Sequence, residues 1–173
     1  EAELDILWCD FVKGVPAAAE QPATKVKCLV WDLDNTLWNG TLIETEDPAT
    51  LELNPQVLKT MEELDRRGII QSVASKNDFE PAMDVLRKLD IADYFLYPQI
   101  SWAPKSTSMT QIAKSLNIGI DALALIDDSA FERQQVHSEW PQVRTYDVTE
   151  LSELLERTEF DVPVTAESRQ RRE

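Results

Sequence analysis

Cysteine, glycine and positive charge are all scarce in this sequence of 173 residues. Its two cysteines are too few for a disulfide framework, which favours a reducing, cytoplasmic setting. The 17 basic residues are outnumbered by 32 acidic ones, so nucleic acid, which needs a basic face, is not an expected partner. No apolar run reaches the length of a membrane span, and the acidic balance disfavours anionic membrane surfaces. We therefore expect no membrane partner.

The hydrophobic content of 43% is typical of a globular chain with a single core. We expect an N-terminal helix and linker at 1–24, one domain at 25–160, and a charged tail at 161–173 that is frayed or cut from a longer chain. Apolar runs that are typical of buried strands alternate with segments of helical periodicity. The predicted strands are 26–31, 69–74, 94–97, 122–126 and 143–146. The predicted helices are 4–12, 55–67, 78–89, 107–116, 131–138 and 150–157.

This alternation predicts a doubly wound, Rossmann-like parallel sheet of about five strands with helices on both faces. The segments that join the first three strands are too short to contain a substantial cap domain. Ligands of such sheets bind beyond the carboxyl ends of the strands. An open site at that edge suits a bulky substrate, or a partner that closes it.

The first predicted strand ends in two carboxylates, Asp32 and Asp34, followed by Thr36. Residues i and i+2 of a strand point the same way, so the two anions are expected to crowd one spot unless a cation compensates them. Mg²⁺ prefers oxygen ligands, and an aspartate can attack phosphorus. The alternative is that the two aspartates merely cap the turn, where Asp and Asn are common.

Other strand ends favour the chemical interpretation, since they carry Ser75 and Asp127, with Lys105 on a nearby loop. Phosphoryl transfer needs a nucleophile, a metal and donors for the phosphoryl charge. Asp32 is the predicted nucleophile, and Asp34 is predicted to protonate the leaving oxygen and later to activate water. Mg²⁺ would be held by Asp32, Asp127 and the backbone carbonyl of Asp34. Ser75 would bind a phosphate oxygen, and Lys105 would neutralise charge.

Several neighbouring residues are further candidates. Lys76 and Asn77 are predicted to contact substrate, although a turn before a helix capped by Asp78 is the simpler account. Thr36 is a candidate for substrate binding or for bracing the loop. Asp128 has a supporting role, either as a metal ligand or by orienting the lysine.

Arg133 could bind phosphate, although an ion pair with Glu132 or Glu139 is favoured. Trp38 and Trp102 are expected to wall the mouth of the site, to offer a hydrophobic contact to a partner, or to pack in the ordinary way. His137, the single histidine, is interpreted as a surface residue late in a helix.

Four motifs in this order resemble those of the haloacid dehalogenase superfamily of aspartate-nucleophile phosphotransferases. Residues 32–36 resemble its first motif, Ser75 its second, Lys105 its third, and Asp127 with Asp128 its fourth. The resemblance covers roughly 26–146. It implies a Mg²⁺-dependent phosphatase or phosphotransferase that forms an aspartyl-phosphate and acts on a phosphorylated small molecule or an acyl phosphate.

A closer resemblance is to the capless FkbH-like branch, in segments 27–38, 75–78, 103–106, 126–133 and 160–163. That branch implies removal of phosphate from 1,3-bisphosphoglycerate and transfer of the glyceryl unit to an acyl carrier protein in polyketide-type pathways. Leu33 stands where many such relatives have a cysteine, and it cannot hold an acyl group. Cys28 is expected to be buried in its strand. These departures favour plain phosphatase chemistry.

Two alternatives stay open at this point. One is a carrier-protein or assembly-line docking domain with little catalysis, against which the complete set of catalytic residue types argues. The other is a phosphoprotein phosphatase, which an uncapped site permits.

Overall fold

The structure, a computed structural model, describes residues 24–163. Its strands are β1 (Cys28–Trp31), β2 (Ile70–Ser75), β3 (Gln99–Ile100), β4 (Leu123–Ile126) and β5 (Arg144–Tyr146). Its α-helices are α1 (Pro55–Arg66), α2 (Phe79–Lys88), α3 (Lys105–Leu116), α4 (Ala130–Glu139) and the short α5 (Leu151–Leu154). The helix predicted at 4–12 and nearly all of the predicted linker lie outside the described residues.

The strands form one five-stranded sheet in the order β3-β2-β1-β4-β5, in which every pairing is parallel. In β1, Cys28 pairs with Ile70 of β2 on one side and with Leu123 of β4 on the other. The chain thus winds outward from β1 in both directions, which confirms the predicted doubly wound fold. The site sought at its carboxyl edge therefore lies where the winding reverses.

Side chains of β1 alternate between two cores, one on each face of the sheet. Leu29 and Trp31 belong to the larger core, which also contains buried residues of α1, α2 and α5. Cys28 and Val30 belong to the smaller core, with buried residues of α3 and α4. Because both faces are covered, β1 is apolar throughout.

Local signals set the start of α1 as predicted. Asn54 occupies the N-cap and its side chain accepts a hydrogen bond from the Gln56 amide at 3.0 Å, while Pro55 fills the first helical position. Asp78 also occupies the N-cap of its helix, α2, but makes no capping hydrogen bond. Its carboxylate instead accepts a hydrogen bond from Trp102 Nε1 at 2.9 Å. The predicted position of the cap is therefore confirmed, but the predicted capping by the side chain is wrong.

Of the third strand predicted at 94–97, only Phe95 pairs with the sheet, through a single parallel bridge to Gln71 of β2. Residues Ala92–Tyr94 form a 3₁₀ turn, and Tyr97 has a φ of 51°, which belongs to a left-handed turn rather than to a strand. The strand is Gln99–Ile100, whose Ile100 pairs with Ser75. Most other helix and strand ends differ from the predicted ones by one or two residues, which is the usual uncertainty of such boundaries. The helix predicted at 150–157 is shorter, because only Leu151–Leu154 is α-helical and a 3₁₀ turn precedes it.

The connection from β1 to β2 contains a 3₁₀ turn, Pro48–Thr50, and α1, and the connection from β2 to β3 contains α2 and another 3₁₀ turn. Between residues 24 and 163 no cap domain is inserted over the carboxyl edge of the sheet. In the same part of the chain, no helix is long and apolar enough to cross a membrane.

Candidate active site

Three neighbouring strands deliver polar side chains to the carboxyl edge of the sheet. Asp32 follows β1, Ser75 ends β2 and Asp127 follows β4. The backbone amide of Asp32 donates to Ile126 O at 3.0 Å, and that of Asp127 donates to Tyr146 O at 3.0 Å. Main-chain pairing thus continues one residue past each strand and fixes the two aspartates against the sheet.

Asp32, Asp127 and Asp128 form a group that we call the carboxylate cluster. One carboxylate oxygen from each lies within 4.8 Å of the others. Asp32 is 6% exposed and Asp127 is fully buried. Burial raises the pKa of the Asp32 carboxyl well above its usual range, and the charge of Asp127 adds to this, although Lys105 opposes it. Burial likewise raises the pKa of Asp127.

Lys105, the first residue of α3, places its ammonium between two of these carboxylates. Its Nζ donates to Asp32 Oδ1 at 2.8 Å and also to Asp127 Oδ2. Burial lowers the pKa of Lys105, but the two aspartates outweigh this, and the pKa is raised. The lysine therefore stays charged and supplies one positive charge to the carboxylate cluster.

The carboxylate cluster fits a divalent cation. With all three carboxylates ionised, the cluster and the ammonium of Lys105 carry two uncompensated negative charges in a largely buried place, where such charge is costly. The donor set is made of hard carboxylate oxygens, which Mg²⁺ prefers. Asp32 and Asp127 are predicted metal ligands, and the structure places Asp128, predicted either to bind metal or to orient Lys105, beside them.

The Asp34 side chain lies outside the carboxylate cluster, contrary to the expected crowding. Its Oδ1 accepts hydrogen bonds from Trp38 Nε1 at 3.1 Å and from the Leu42 amide at 2.8 Å. Its Oδ2 accepts one from Asn77 Nδ2 at 2.9 Å. The same Asn77 amide group donates to Ser75 Oγ at 3.0 Å. The structure thus links both expected phosphate-handling residues, Asp34 and Ser75, through Asn77.

Thr36 braces the nucleophile candidate. Its hydroxyl donates to Asp32 Oδ2 at 3.1 Å and lies 3.5 Å from Asp128 Oδ1. Since Lys105 binds the other Asp32 oxygen, both oxygens of this carboxylate are held from defined directions. Thr36 is only 2% exposed, which fits the bracing interpretation better than substrate contact.

Lys76 has an acidic partner within the chain, and Arg133 has partners other than the acidic residues expected for it. Lys76 Nζ forms an ion pair with Glu132 Oε1 at 2.9 Å. Arg133 pairs with neither Glu132 nor Glu139, so that prediction is wrong: its Nη1 donates to the Asp127 backbone carbonyl at 2.7 Å, and its Nη2 lies 3.7 Å from Asp147 Oδ2. The prediction considered only acidic neighbours on the same helix, whereas Arg133 contacts Asp127, which lies between β4 and α4.

The two tryptophans considered for the mouth of the site differ in exposure. Trp38 is fully buried, as ordinary packing predicts, whereas Trp102 is 56% exposed. His137 is exposed in the last turn of α4, as predicted. Cys28 is fully buried, and burial raises the pKa of its thiol. Leu33 is buried as well.

Neither a protein-family model nor a curated protein matches the sequence. Among solved structures, the N-terminal part of a Bacteroides fragilis protein, containing a phosphatase domain and complexed with Mg, is similar with a TM-score of 0.69 and 28% identity. The similarity covers 84% of this chain and 42% of that one, so the chain spans less than half of that relative.

Two further structures share the fold at lower identity. A haloacid dehalogenase superfamily hydrolase from Geobacter sulfurreducens has a TM-score of 0.61 at 12% identity, covering 76% of this chain and 98% of that one. A cobalt-bound deoxy-D-mannose-octulosonate 8-phosphate phosphatase from Haemophilus influenzae has a TM-score of 0.56 at 16% identity, covering 73% and 71%. These structural neighbours are thus phosphatases and a hydrolase of the haloacid dehalogenase superfamily, whereas the FkbH-like branch stays a prediction.

Proposed function

We propose that this chain is a Mg²⁺-dependent phosphatase or phosphotransferase that forms an aspartyl-phosphate on Asp32. The observation that carries the proposal is the buried carboxylate cluster, in which Asp32 is held by Lys105 and Thr36 at the uncapped carboxyl edge of the sheet. The similarity to a Bacteroides fragilis structure that contains a phosphatase domain and Mg supports it.

Asp32 attacks the phosphorus of the substrate. A bond forms between a carboxylate oxygen of Asp32 and phosphorus, and the bond from phosphorus to the leaving oxygen breaks. The two hydrogen bonds to Asp32 fix the orientation of the carboxylate before the substrate arrives, which reduces the entropic cost of the attack. Lys105 stabilises the negative charge that nucleophile and phosphate bring together.

Asp34 carries the proton in this proposal. It protonates the leaving oxygen in the first step, and in the second step it takes a proton from the water that hydrolyses the aspartyl-phosphate. The Ser75 hydroxyl accepts from Asn77, which leaves its own hydrogen free to be donated to a phosphate oxygen.

When bound, Mg²⁺ supplies positive charge to the phosphoryl oxygens. The carboxylates of Asp32, Asp127 and Asp128 would hold it, and the backbone carbonyl of Asp34 is a further proposed ligand. Arg133 supports this arrangement indirectly, because it binds the backbone carbonyl of Asp127.

The test is phosphate release from a panel of phosphate esters and acyl phosphates, with Mg²⁺ and with a chelator. We expect metal-dependent release that Asp32→Asn lowers at least ~1,000-fold, as loss of a nucleophile does. Asp84→Asn is the matched control, since it removes the same charge from an exposed site on α2. An Asp32→Asn variant as active as the parent would contradict the proposal.

A more specific activity within this proposal is the FkbH-like one, in which 1,3-bisphosphoglycerate is dephosphorylated and its glyceryl unit is transferred to an acyl carrier protein. Among residues 24–163 the one thiol, Cys28, is buried and its pKa is raised, so it is a poor acyl acceptor. We therefore place phosphate release ahead of acyl transfer. Intact mass of an added carrier protein after incubation with the acyl phosphate distinguishes the two, because only transfer adds a glyceryl unit.

The remaining alternatives keep the same site but differ in what enters it. The open edge of the sheet suits a phosphorylated protein as well as a small molecule, and a panel that includes phosphopeptides separates them. A docking domain with little catalysis would bind a carrier protein while releasing no phosphate from any member of the panel. The cytoplasmic location and the domain limits at 25 and 160 belong to the proposal as well.

A further inference from the structure

Three hydrogen-bond donors hold the Asp34 carboxylate in place. Each of its oxygens accepts at least one hydrogen bond, from Trp38 and Leu42 on one side and from Asn77 on the other. Although Asp34 lies only two residues after Asp32, it does not join the carboxylate cluster.

We infer that Trp38 and Asn77 are positioning residues that hold the Asp34 carboxylate out of the carboxylate cluster and so reserve it for proton transfer. The inference rests on the proposed function for its catalytic meaning. It assigns to Trp38 and Asn77 a task other than the packing and the substrate contact that the sequence suggested for them.

Both side chains are fixed well enough for this task. Trp38 is fully buried, so its indole has no room to swing away from Asp34. Asn77 is 3% exposed and its amide group also binds Ser75 Oγ, which fixes its rotamer through a second contact. The third donor is the Leu42 main chain, which substitution cannot remove. Trp38 and Asn77 are therefore the parts that can be tested.

Without these donors, a free Asp34 carboxylate two residues from Asp32 would be drawn to the same cation. A carboxylate that binds metal is a poorer proton donor to the leaving oxygen. The expected loss therefore falls on substrates whose leaving oxygen needs a proton, such as alkyl phosphates, and spares p-nitrophenyl phosphate, whose phenolate leaves without one.

The first experiment measures kcat/KM, which reports the step up to aspartyl-phosphate formation, on an alkyl phosphate and on p-nitrophenyl phosphate. We expect Trp38→Phe to lower it about tenfold on the alkyl ester and at most about twofold on the aryl ester. Because Asn77 also binds Ser75, we expect Asn77→Ala to lower it on both esters, with a loss about fivefold larger on the alkyl ester. Equal losses on both esters would overturn the inference.

Trp31→Phe is the matched control for Trp38→Phe. Trp31 is equally buried, and its Nε1 also donates to a side chain, Gln71 Oε1 at 3.0 Å, but that contact lies in the core away from Asp34. We expect it to leave the ratio between the two esters unchanged. In an Asp34→Ala background, Trp38→Phe should cause no further change in that ratio, and an additional loss there would overturn the inference.

A second readout needs no activity at all. The chain has five tryptophans, and the indole resonance of Trp38 can be assigned by its loss in Trp38→Phe. We expect Asp34→Ala to shift that resonance and to speed its hydrogen exchange, whereas an unmoved resonance would overturn the inference. If the parent hydrolyses no member of the phosphate panel, the proposed function fails, while the indole resonance still decides whether Trp38 holds Asp34.

Discussion

Lys105→Met is expected to destabilise the metal-free protein strongly and the Mg²⁺-bound protein weakly. The substitution keeps most of the volume of the side chain and removes the ammonium that binds Asp32 and Asp127. The three side chains involved are 4%, 8% and 1% exposed, so water cannot replace the lost charge.

Removing one partner of a buried ion pair costs about 3–5 kcal/mol. The carboxylates can limit this loss by taking up a proton, since the pKa values of Asp32 and Asp127 are already raised. We therefore expect a loss of about 3 kcal/mol in the free energy of unfolding. For a chain of this length that corresponds to a melting temperature lower by about 6–12 °C. With saturating Mg²⁺ the loss should fall to about 1 kcal/mol or less, because the cation replaces the missing charge.

The assay is urea unfolding of parent and variant, with a chelator and with Mg²⁺. Lys114→Met is the control, since Lys114 lies on the same helix with an exposed side chain. We expect it to change stability by at most about 0.5 kcal/mol under both conditions. A Lys105→Met loss that is equally large with and without Mg²⁺ would refute the view that this lysine and a cation neutralise the same carboxylates.

Three further outcomes are expected. Stabilisation by Mg²⁺, measured as a shift in melting temperature, should be larger near pH 8 than near pH 5, and a shift that shrinks as pH rises would contradict this. Because the pKa values of Asp32 and Asp127 are raised by folding, their contribution to the stability of the metal-free protein is present below the unfolded-state pKa of about 4 and is lost as pH rises through the folded-state values. Mg²⁺ binds the ionised carboxylates and therefore stabilises the protein most at high pH. Arg67→Met should lower the free energy of unfolding by about 2–4 kcal/mol in urea titrations, because Arg67 Nη1 donates to the backbone carbonyls of Leu155 and Phe160 at 2.9 and 2.8 Å. A loss below about 0.5 kcal/mol would show that these two hydrogen bonds contribute little to stability. Cys28→Ala should keep phosphate release within about twofold of the parent, and a complete loss of activity in a folded variant would show that the thiol takes part in the reaction.

The fold was predictable because its signals are local. Apolar runs bounded by polar residues gave β1, β2 and β4, and capping residues such as Asn54 gave helix starts. The third strand was missed because it has only the two residues Gln99 and Ile100, and an aromatic cluster just before it carries a stronger strand propensity. Its pairing with Ser75 is a tertiary contact that no local pattern encodes.

The sequence predicted which residues of the candidate site lie at the same edge of the sheet, but not which hydrogen bonds they form. Parallel strands bring their carboxyl ends to one edge, so Asp32, Ser75 and Asp127 could be grouped from the sequence alone. The separation of Asp34 from the carboxylate cluster depends on donors from Trp38 and Asn77. Asn77 is distant from Asp34 along the chain, and Trp38 lies in the same loop as Asp34, so neither contact follows from the periodicity of a helix or strand.

The measurement that tests the central claim most directly is peptide mass mapping of the protein after an acid quench during turnover with Mg²⁺ and a hydrolysed phosphate ester. We expect one phosphoryl group on the peptide that contains Asp32, and none when Asp32→Asn or the chelated protein is treated alike. A protein that releases phosphate while no phosphoryl group is found on Asp32, or that carries it on another residue, would contradict the account.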